Sequence, residues 1–165
     1  QDDLEGRRVV DLGTGTGMLA LGAALLEPSR VVGIELDRSV LDVARRNEAA
    51  LAPGTSVDWI QGDASSAPLC SADWTVVANP PFGSHADNRH ADRAFLETIA
   101  EIGRVSYTIH NEGSSEFVEA FSMDNGGRVT HAYAVEFPLP RQFMHHEADR
   151  QSIQAELFRI EWNQG

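Results

Sequence analysis

The sequence predicts an α/β fold: a mostly parallel, seven-stranded sheet with helices on both faces and an antiparallel pair at one edge. Two observations carry this expectation. From the start of the chain to about residue 123, strand-like apolar runs alternate with runs of helical period, the pattern of a doubly wound sheet. Beyond that point two long strand-like stretches, Arg128 to Phe137 and Ser152 to Trp162, are joined by the loop Pro138 to Gln151 with no helical pattern between them, which points to an antiparallel pair.

Each element follows from its residues. Arg8-Val9-Val10-Asp11-Leu12 is a strand that runs into glycines, and Met18 to Leu26 is the helix after it. That helix is apolar all round, so both its sides are expected to be covered. Because the first strand begins only eight residues in, an N-terminal segment preceding it is expected to contribute to that cover. Val31 to Leu36 is the second strand. Ser39, with Asp42 three residues on, reads as a capping box for a helix to about Leu51. Val57 to Ile60 and Trp74 to Ala78 are the third and fourth strands. Ala91 to Ile102 is a helix with Phe95, Ile99 and Ile102 on one face, Val105 to Ile109 the fifth strand, and Glu116 to Met123 the last helix. No repeat, linker or low-complexity segment interrupts this order, so residues 1–165 read as a single domain.

A chain of 165 residues with 42% hydrophobic content can bury one ordinary core. Its longest uncharged apolar run falls short of the roughly 20 residues a membrane span needs, and no signal-peptide pattern opens it, so a cytoplasmic location is expected. The single cysteine, Cys70, excludes an internal disulfide and a cysteine-based zinc site within the chain; a buried thiol is its simplest role. The net charge of −12 argues at first sight against a nucleic-acid partner. All 13 basic residues, however, are arginine. An acidic, lysine-free surface is expected of a halophilic protein, because the Debye length is about 3 Å at 1 M salt and long-range repulsion is screened. Acidity then says little about the substrate.

Asn79-Pro80-Pro81-Phe82 follows the fourth strand as a rigid turn. The prolines fix φ and push Asn79 into an extended conformation, so that its amide and the Pro80 carbonyl can form a pair of acceptors suited to an exocyclic amine. Phe82 offers a ring face for stacking a base, worth roughly 1–3 kcal/mol.

A second motif, Asp11-Leu12-Gly13-Thr14-Gly15-Thr16-Gly17, sits at a strand-to-helix turn where glycines admit a ligand to the backbone and a helix N-terminus offers free N–H groups. A dinucleotide fingerprint would need Gly at position 18, which is Met. The spacing fits a nucleoside carrying an amino acid instead. Asp11 supplies a carboxylate for its ammonium group. Glu35, 24 residues beyond Asp11 and followed by Leu36, stands where an acid accepts from both ribose hydroxyls. Asp63, in Gly62-Asp63-Ala64, can accept from an adenine amino group. Any one of these acids alone reads as a solvated surface charge. Three of them, each at the carboxyl end of a successive parallel strand, predict an S-adenosyl-L-methionine site, with Asn79 at the junction between cofactor and acceptor.

With these motifs in place, the chain resembles the Rossmann-like class I S-adenosylmethionine-dependent methyltransferases. More narrowly, Asn79-Pro80-Pro81-Phe82-Gly83, Ala91-Asp92-Arg93-Ala94-Phe95-Leu96, Ser106-Tyr107-Thr108-Ile109-His110, and Leu139-Pro140 with Phe143 and His145 resemble the methyltransferase-like-five family. The resemblance implies N6-methylation of an adenosine in small-subunit ribosomal RNA, an Asn side chain and first Pro carbonyl that bind the amine, and a small zinc-binding activator protein as partner. The family's short N-terminal Pro-Thr motif has no counterpart here. Lysines of its substrate loops are replaced, as in Ser84-His85-Ala86-Asp87-Asn88-Arg89-His90, so individual RNA contacts do not carry over. If the strand order is also shared, Val57-Asp58-Trp59-Ile60 is a sheet edge bearing large apolar side chains, where a partner can add a strand.

The same tetrapeptide also suits guanine N2 in RNA or the amide nitrogen of a protein glutamine, and a catalytically silent RNA-binding subunit is a rival of another class. Intact cofactor acids beside an intact amine-binding motif argue against the silent form. Metal ligation is not expected: His145 and His146 are adjacent and lack ligand spacing, and His110 at a strand end reads as structural. His85, His90, Arg89 and Arg93 flank the amine site and either reach phosphates or form an exposed loop; Arg141 and Arg150 share that ambiguity.

Overall fold

The structure, a computed structural model, describes residues 2–70, 73–80, 89–138 and 152–163, with the backbone alone described at 89–92 and 138. The elements are β1 (Arg8–Leu12), α1 (Met18–Ala24), β2 (Arg30–Glu35), α2 (Arg38–Leu51), β3 (Asp58–Gln61), β4 (Trp74–Ala78), α3 (Arg89–Ile102), β5 (Gly103–Asn111), α4 (Ser115–Asp124), β6 (Gly127–Pro138) and β7 (Ser152–Trp162), with a 3-10 turn at Ala64–Ser66. The strands form one seven-stranded sheet in the order β3-β2-β1-β4-β5-β7-β6. β1 to β5 run parallel, and β7 lies antiparallel between β5 and β6. The predicted fold class is the one observed.

Alternation along the strands divides the core between two faces. On one, Val10, Leu12, Ile34, Val76, Phe158 and Ile160 pack with Phe95, Leu96, Ile99 and Ile102 of α3 and with Val118 and Phe121 of α4. On the other, Val9, Val31, Val57 and Val77 pack with Ala20, Leu21 and Ala23 of α1 and Ala52 after α2. The chain steps outward from β1 through β2 to β3, then returns to place β4 on the far side of β1. The crevice at the carboxyl ends of β1 and β4 is therefore a topological switch point, where open α/β sheets bind ligands.

Four local expectations are corrected. Residue 39 does not cap α2: Asp37 does, its Oδ1 accepting from the Ser39 N–H at 2.7 Å, because Asp37 is the residue still in extended conformation when the helix begins. The first helix stops at Ala24 rather than Leu26, with Ala20, Leu21 and Ala23 buried and Met18, Leu25 and Leu26 exposed. Cys70 is exposed rather than buried, since it lies in the irregular stretch after the 3-10 turn and on no core-facing strand. The edge-strand expectation holds in topology but not in detail, because β3 is the edge while the Trp59 ring turns inward.

A buried polar cluster ties the start of the described chain to its last strand. Arg159 Nε donates to Asp3 Oδ2 at 2.8 Å, Tyr107 OH donates to the same oxygen at 2.8 Å, and Arg159 also donates to Thr130 Oγ1 and Glu161 Oε1. The backbone carbonyl of Asp3 accepts from the Thr75 hydroxyl.

Candidate active site

Strand register places the predicted site residues at one level. Leu12 pairs with Ile34 on one side and Ala78 on the other, and Ile34 pairs with Ile60. One residue past this row lie Glu35 on β2, Gly13 after β1 and Asn79 after β4. With strands about 4.8 Å apart, Glu35 and Asn79 stand roughly 10 Å from each other across the carboxyl edge. Asp63 follows β3 on the far side of Glu35. An elongated ligand laid along this edge would meet Asp63, Glu35, the glycine loop and Asn79 in turn, which suits an adenine, a ribose, an amino-acid tail and an acceptor.

The glycine loop is built for close approach. Gly13, Gly15 and Gly17 have φ of +65°, +55° and +86°, values that residues with a Cβ rarely adopt. Gly17 is the N-cap of α1. Thr14 closes the loop from inside, its N–H donating to the Ile34 carbonyl at 2.9 Å and its hydroxyl to Asp11 Oδ2 at 2.6 Å. The same carboxylate oxygen accepts from the Ala20 N–H in α1 at 2.9 Å. Asp11 is thus a buried tie between strand, loop and helix.

Glu35 is half-buried, and both its oxygens are engaged, Oε2 by the Gly15 N–H and Oε1 by the Asp37 N–H, each at 3.0 Å. These bonds fix the carboxylate beside the loop and leave each oxygen a further lone pair for a hydroxyl. Leu36 next to it is an exposed apolar side chain at the same edge. Asp63 caps the 3-10 turn that starts at Ala64, its Oδ1 accepting from the Ser65 N–H and hydroxyl. Those hydrogen bonds hold its carboxyl below the ordinary carboxylate value, so it is an anion that can accept from an amine.

At the acceptor end, all five residues of β4 are buried, Asn79 is exposed and Pro80 is buried again. Asn79 is the residue at which the chain surfaces. Pro81 and Phe82 lie outside the described residues, as do His85, Arg141, His145, His146 and Arg150, and the side chains of Arg89 and His90. Arg93 is exposed and pairs with Glu97 at 2.9 Å. His110 is buried with Nε2 2.9 Å from the Thr108 hydroxyl, and burial pushes it down to about 4, so it is neutral and structural, as its position suggested. No metal-binding cluster exists among the described residues. Sequence reasoning missed Trp59 and Glu48, which support the loop; the signal was Gly33 inside an otherwise β-branched strand, a mark of close approach.

Asp11 gives the site a pH signature. Burial pushes its carboxyl up to about 7, against the Thr14 and Ala20 hydrogen bonds that favour the ionised form, and the Glu35 charge adds to the rise. For the ligand-free chain, such a group stabilises the fold most below its ordinary value and loses that contribution as pH climbs through about 7. The ammonium group of a bound amino-acid tail favours the ionised form, so affinity for S-adenosylhomocysteine should strengthen as pH rises from about 5.5 to about 7.5, staying below the ligand amine's own range. Calorimetry across that interval tests this, and Asp11→Asn should flatten the profile. A flat wild-type profile would remove Asp11 from ligand contact.

Comparison with known proteins identifies the family of the fold. Residues 9–105 match the family described as Methyltransferase domain. The chain is 30% identical over 163 residues to an rRNA N(6)-adenosine-methyltransferase of Danio rerio, covering 96% of this chain and 77% of that protein. The crystal structure of a candidate RNA methyltransferase from Pyrococcus horikoshii has a TM-score of 0.79 at 36% identity, covering 97% of this chain and 76% of that one. A release factor glutamine methyltransferase of Deinococcus radiodurans is 40% identical over only 90 residues, 54% of this chain and 31% of that protein. A match to the methyltransferase family over more than half of the chain, with relatives aligned along nearly all of it, fits the doubly wound sheet: the chain belongs to the class I methyltransferase family, with S-adenosylmethionine as cofactor, and is related to the rRNA N(6)-adenosine-methyltransferases.

Proposed function

We propose that this protein methylates the N6 amine of an adenosine in small-subunit ribosomal RNA, in the cytoplasm. The position of Asn79 carries the reading. It surfaces from a fully buried strand beside Gly13, at the acceptor end of the cofactor edge, with Pro80 buried behind it. The cofactor supplies a methyl group already activated on a sulfonium, so no strong base is required of the protein. Asn79 and the Pro80 carbonyl would accept the two amine hydrogens, favour a more tetrahedral nitrogen and aim its lone pair at the methyl carbon, with the proton lost to solvent after transfer. Phe82 would stack the base, which must be unpaired or flipped to enter.

Alignment extent supports adenine over glutamine, because the rRNA methyltransferase relative matches across nearly the whole chain and the glutamine methyltransferase across about half. No helix of the described residues is long and apolar enough to cross a membrane. The zinc-binding activator belongs to the same proposal, adding a strand at the open edge of β3, the segment Val57 to Ile60 in sequence terms, since an unpaired edge invites such pairing. The lysine-free, acidic composition supports assay in concentrated salt.

The test is incubation of the protein, with and without a zinc-binding activator, with ribosomal RNA and methyl-labelled cofactor in molar salt, followed by mass spectrometry of the labelled nucleoside. N6-methyladenosine at one site is expected. Label in N2-methylguanosine or in protein alone would replace the acceptor while leaving the cofactor edge in place.

A further inference from the structure

The edge strand and the cofactor loop are mechanically joined through one side chain. Trp59 pairs in register with Gly33, and Gly33 with Asp11, so the three form a cross-sheet row on the α1 face. The indole fills the space that two glycines leave open. A Cβ on Gly33 would lie 2.6 Å from Trp59 Cε3 and Cζ3 and 3.2 Å from Thr14 Cγ2. A Cβ on Gly17, the last glycine of the loop, would lie 2.6 Å from Trp59 Cη2. The ring therefore spans from the second strand to Gly17 at the start of α1.

The ring is itself anchored. Its Nε1 donates to Glu48 Oε2 at 2.7 Å, and the other oxygen of Glu48 accepts from the Val57 N–H at 2.9 Å. From the same helix, Asn47 Nδ2 donates to the Thr16 carbonyl of the loop at 2.9 Å. Helix α2 thus grips strand β3 and the loop together, with the indole wedged between them.

We infer that Trp59 is a positioning residue for the cofactor: its ring fills the space at Gly33 and buttresses Gly17, sets the height of the glycine loop over Asp11 and Glu35, and couples the open edge strand to cofactor affinity. This rests on the glycine loop being the cofactor site. A ring at this place rather than a smaller apolar group ties the geometry of the loop to that of β3, which has no strand neighbour on its outer side among the described residues. By reciprocity, a ligand that orders the loop must also order β3.

The experiment compares Trp59→Ala and Trp59→Leu with Val57→Ala, a truncation at a buried neighbour in the same core cluster. Leu covers Gly33 yet is too short to reach Gly17, so it keeps a folded variant in hand should Ala unfold the chain. Both Trp59 variants are expected to bind S-adenosylhomocysteine about tenfold more weakly, within the range of measured couplings, and Val57→Ala to bind within about twofold of wild type. In turnover with the methyl acceptor, the cofactor KM should rise with kcat little changed. Hydrogen exchange of the residue 58–61 amides should slow on S-adenosylhomocysteine binding in wild type and much less in Trp59→Leu. Equal affinities for wild type and Trp59→Leu, or an equal loss in Val57→Ala, would overturn the inference. A wild-type chain that does not bind S-adenosylhomocysteine at all would overturn the site assignment and the buttress with it.

Discussion

Asn79→Ala is expected to lower methyl transfer by about three orders of magnitude while cofactor affinity stays within a few-fold, because the loss falls on a positioning interaction made in the transition state. The expectation follows from where the chain surfaces. Val76, Val77 and Ala78 are fixed between β1 and β5 and buried, so the backbone of Asn79 is held by its neighbours rather than by its own side chain. Truncation removes the amide acceptor and leaves the Pro80 carbonyl in place. The adenine amine would then keep one acceptor of two and lose its aim. The glycine loop and Glu35, which in this proposal hold the other end of the cofactor, are tied to each other and to Asp37 through bonds that do not involve Asn79. Single-turnover rates with saturating cofactor, beside S-adenosylhomocysteine binding by calorimetry, separate the two effects. Loss of both together would mean that Asn79 supports the cofactor pocket itself. Asn79→Asp is a graded companion: it keeps an acceptor oxygen at the same place but adds a charge beside Pro80, and should retain more transfer than Ala.

The strands, and the edge to which they bring the candidate site residues, were legible in the sequence because both are written in local patterns. β4 is a run of apolar residues ended by Asn-Pro-Pro, and the structure buries all five of its residues before releasing Asn79. Three acids at the ends of successive strands needed only the alternating order of strands and helices to be brought to one edge. The misses arose where a local pattern admitted two solutions. Asp37 and Ser39 are both good caps two residues apart, and only the backbone decides that Asp37 stays extended. Met18 to Leu26 has no polar face to reveal which side is exposed, and the helix ends two residues early, leaving Leu25 and Leu26 to solvent. Trp59 reads in the sequence as a large apolar side chain on an edge strand. That it folds inward depends on Gly33 in the neighbouring strand and Glu48 in α2, partners that no periodicity links.

Interactions between distant parts of the chain were the least legible. Asp3 and Arg159 are 156 residues apart, and in so acidic a chain Asp3 carries no mark of its own. In the folded protein both are buried, 6% and 5% exposed, which turns a surface-like pair into a desolvated one. The same row across the sheet holds Asp11, Val77, Tyr107 and Arg159, so the ion pair lies on the same face as the cofactor loop, three strands away.

Arg159→Leu should therefore destabilise the protein by about 3 kcal/mol at neutral pH, the order expected when one partner of a buried pair is removed and the other is left uncompensated. Arg159 does more than neutralise Asp3, since it also donates to Thr130 across the strand pair, pinning β7 to its neighbour β6, and to Glu161 on its own strand. Leucine restores apolar packing but none of these bonds, and among the described residues the Asp3 carboxylate keeps the Tyr107 hydroxyl and the Arg104 guanidinium at 3.6 Å. The sign of the pH dependence identifies the cause. Burial pushes the Asp3 carboxyl up, but the hydrogen bonds from Arg159 and Tyr107, with the Arg159 and Arg104 charges, outweigh it and hold the group below its ordinary value. A carboxyl lowered in the folded state contributes stability above its ordinary value of 3.8 and loses it as pH falls through the lowered one. In the variant that contribution is reduced, so the gap between wild type and Arg159→Leu should be widest near neutral pH and narrow as the solution becomes more acid than about pH 4. Urea unfolding followed at several pH values measures it. A gap that stays constant down to acid pH would show that lost packing and the Thr130 and Glu161 bonds, rather than the orphaned Asp3 charge, account for the cost.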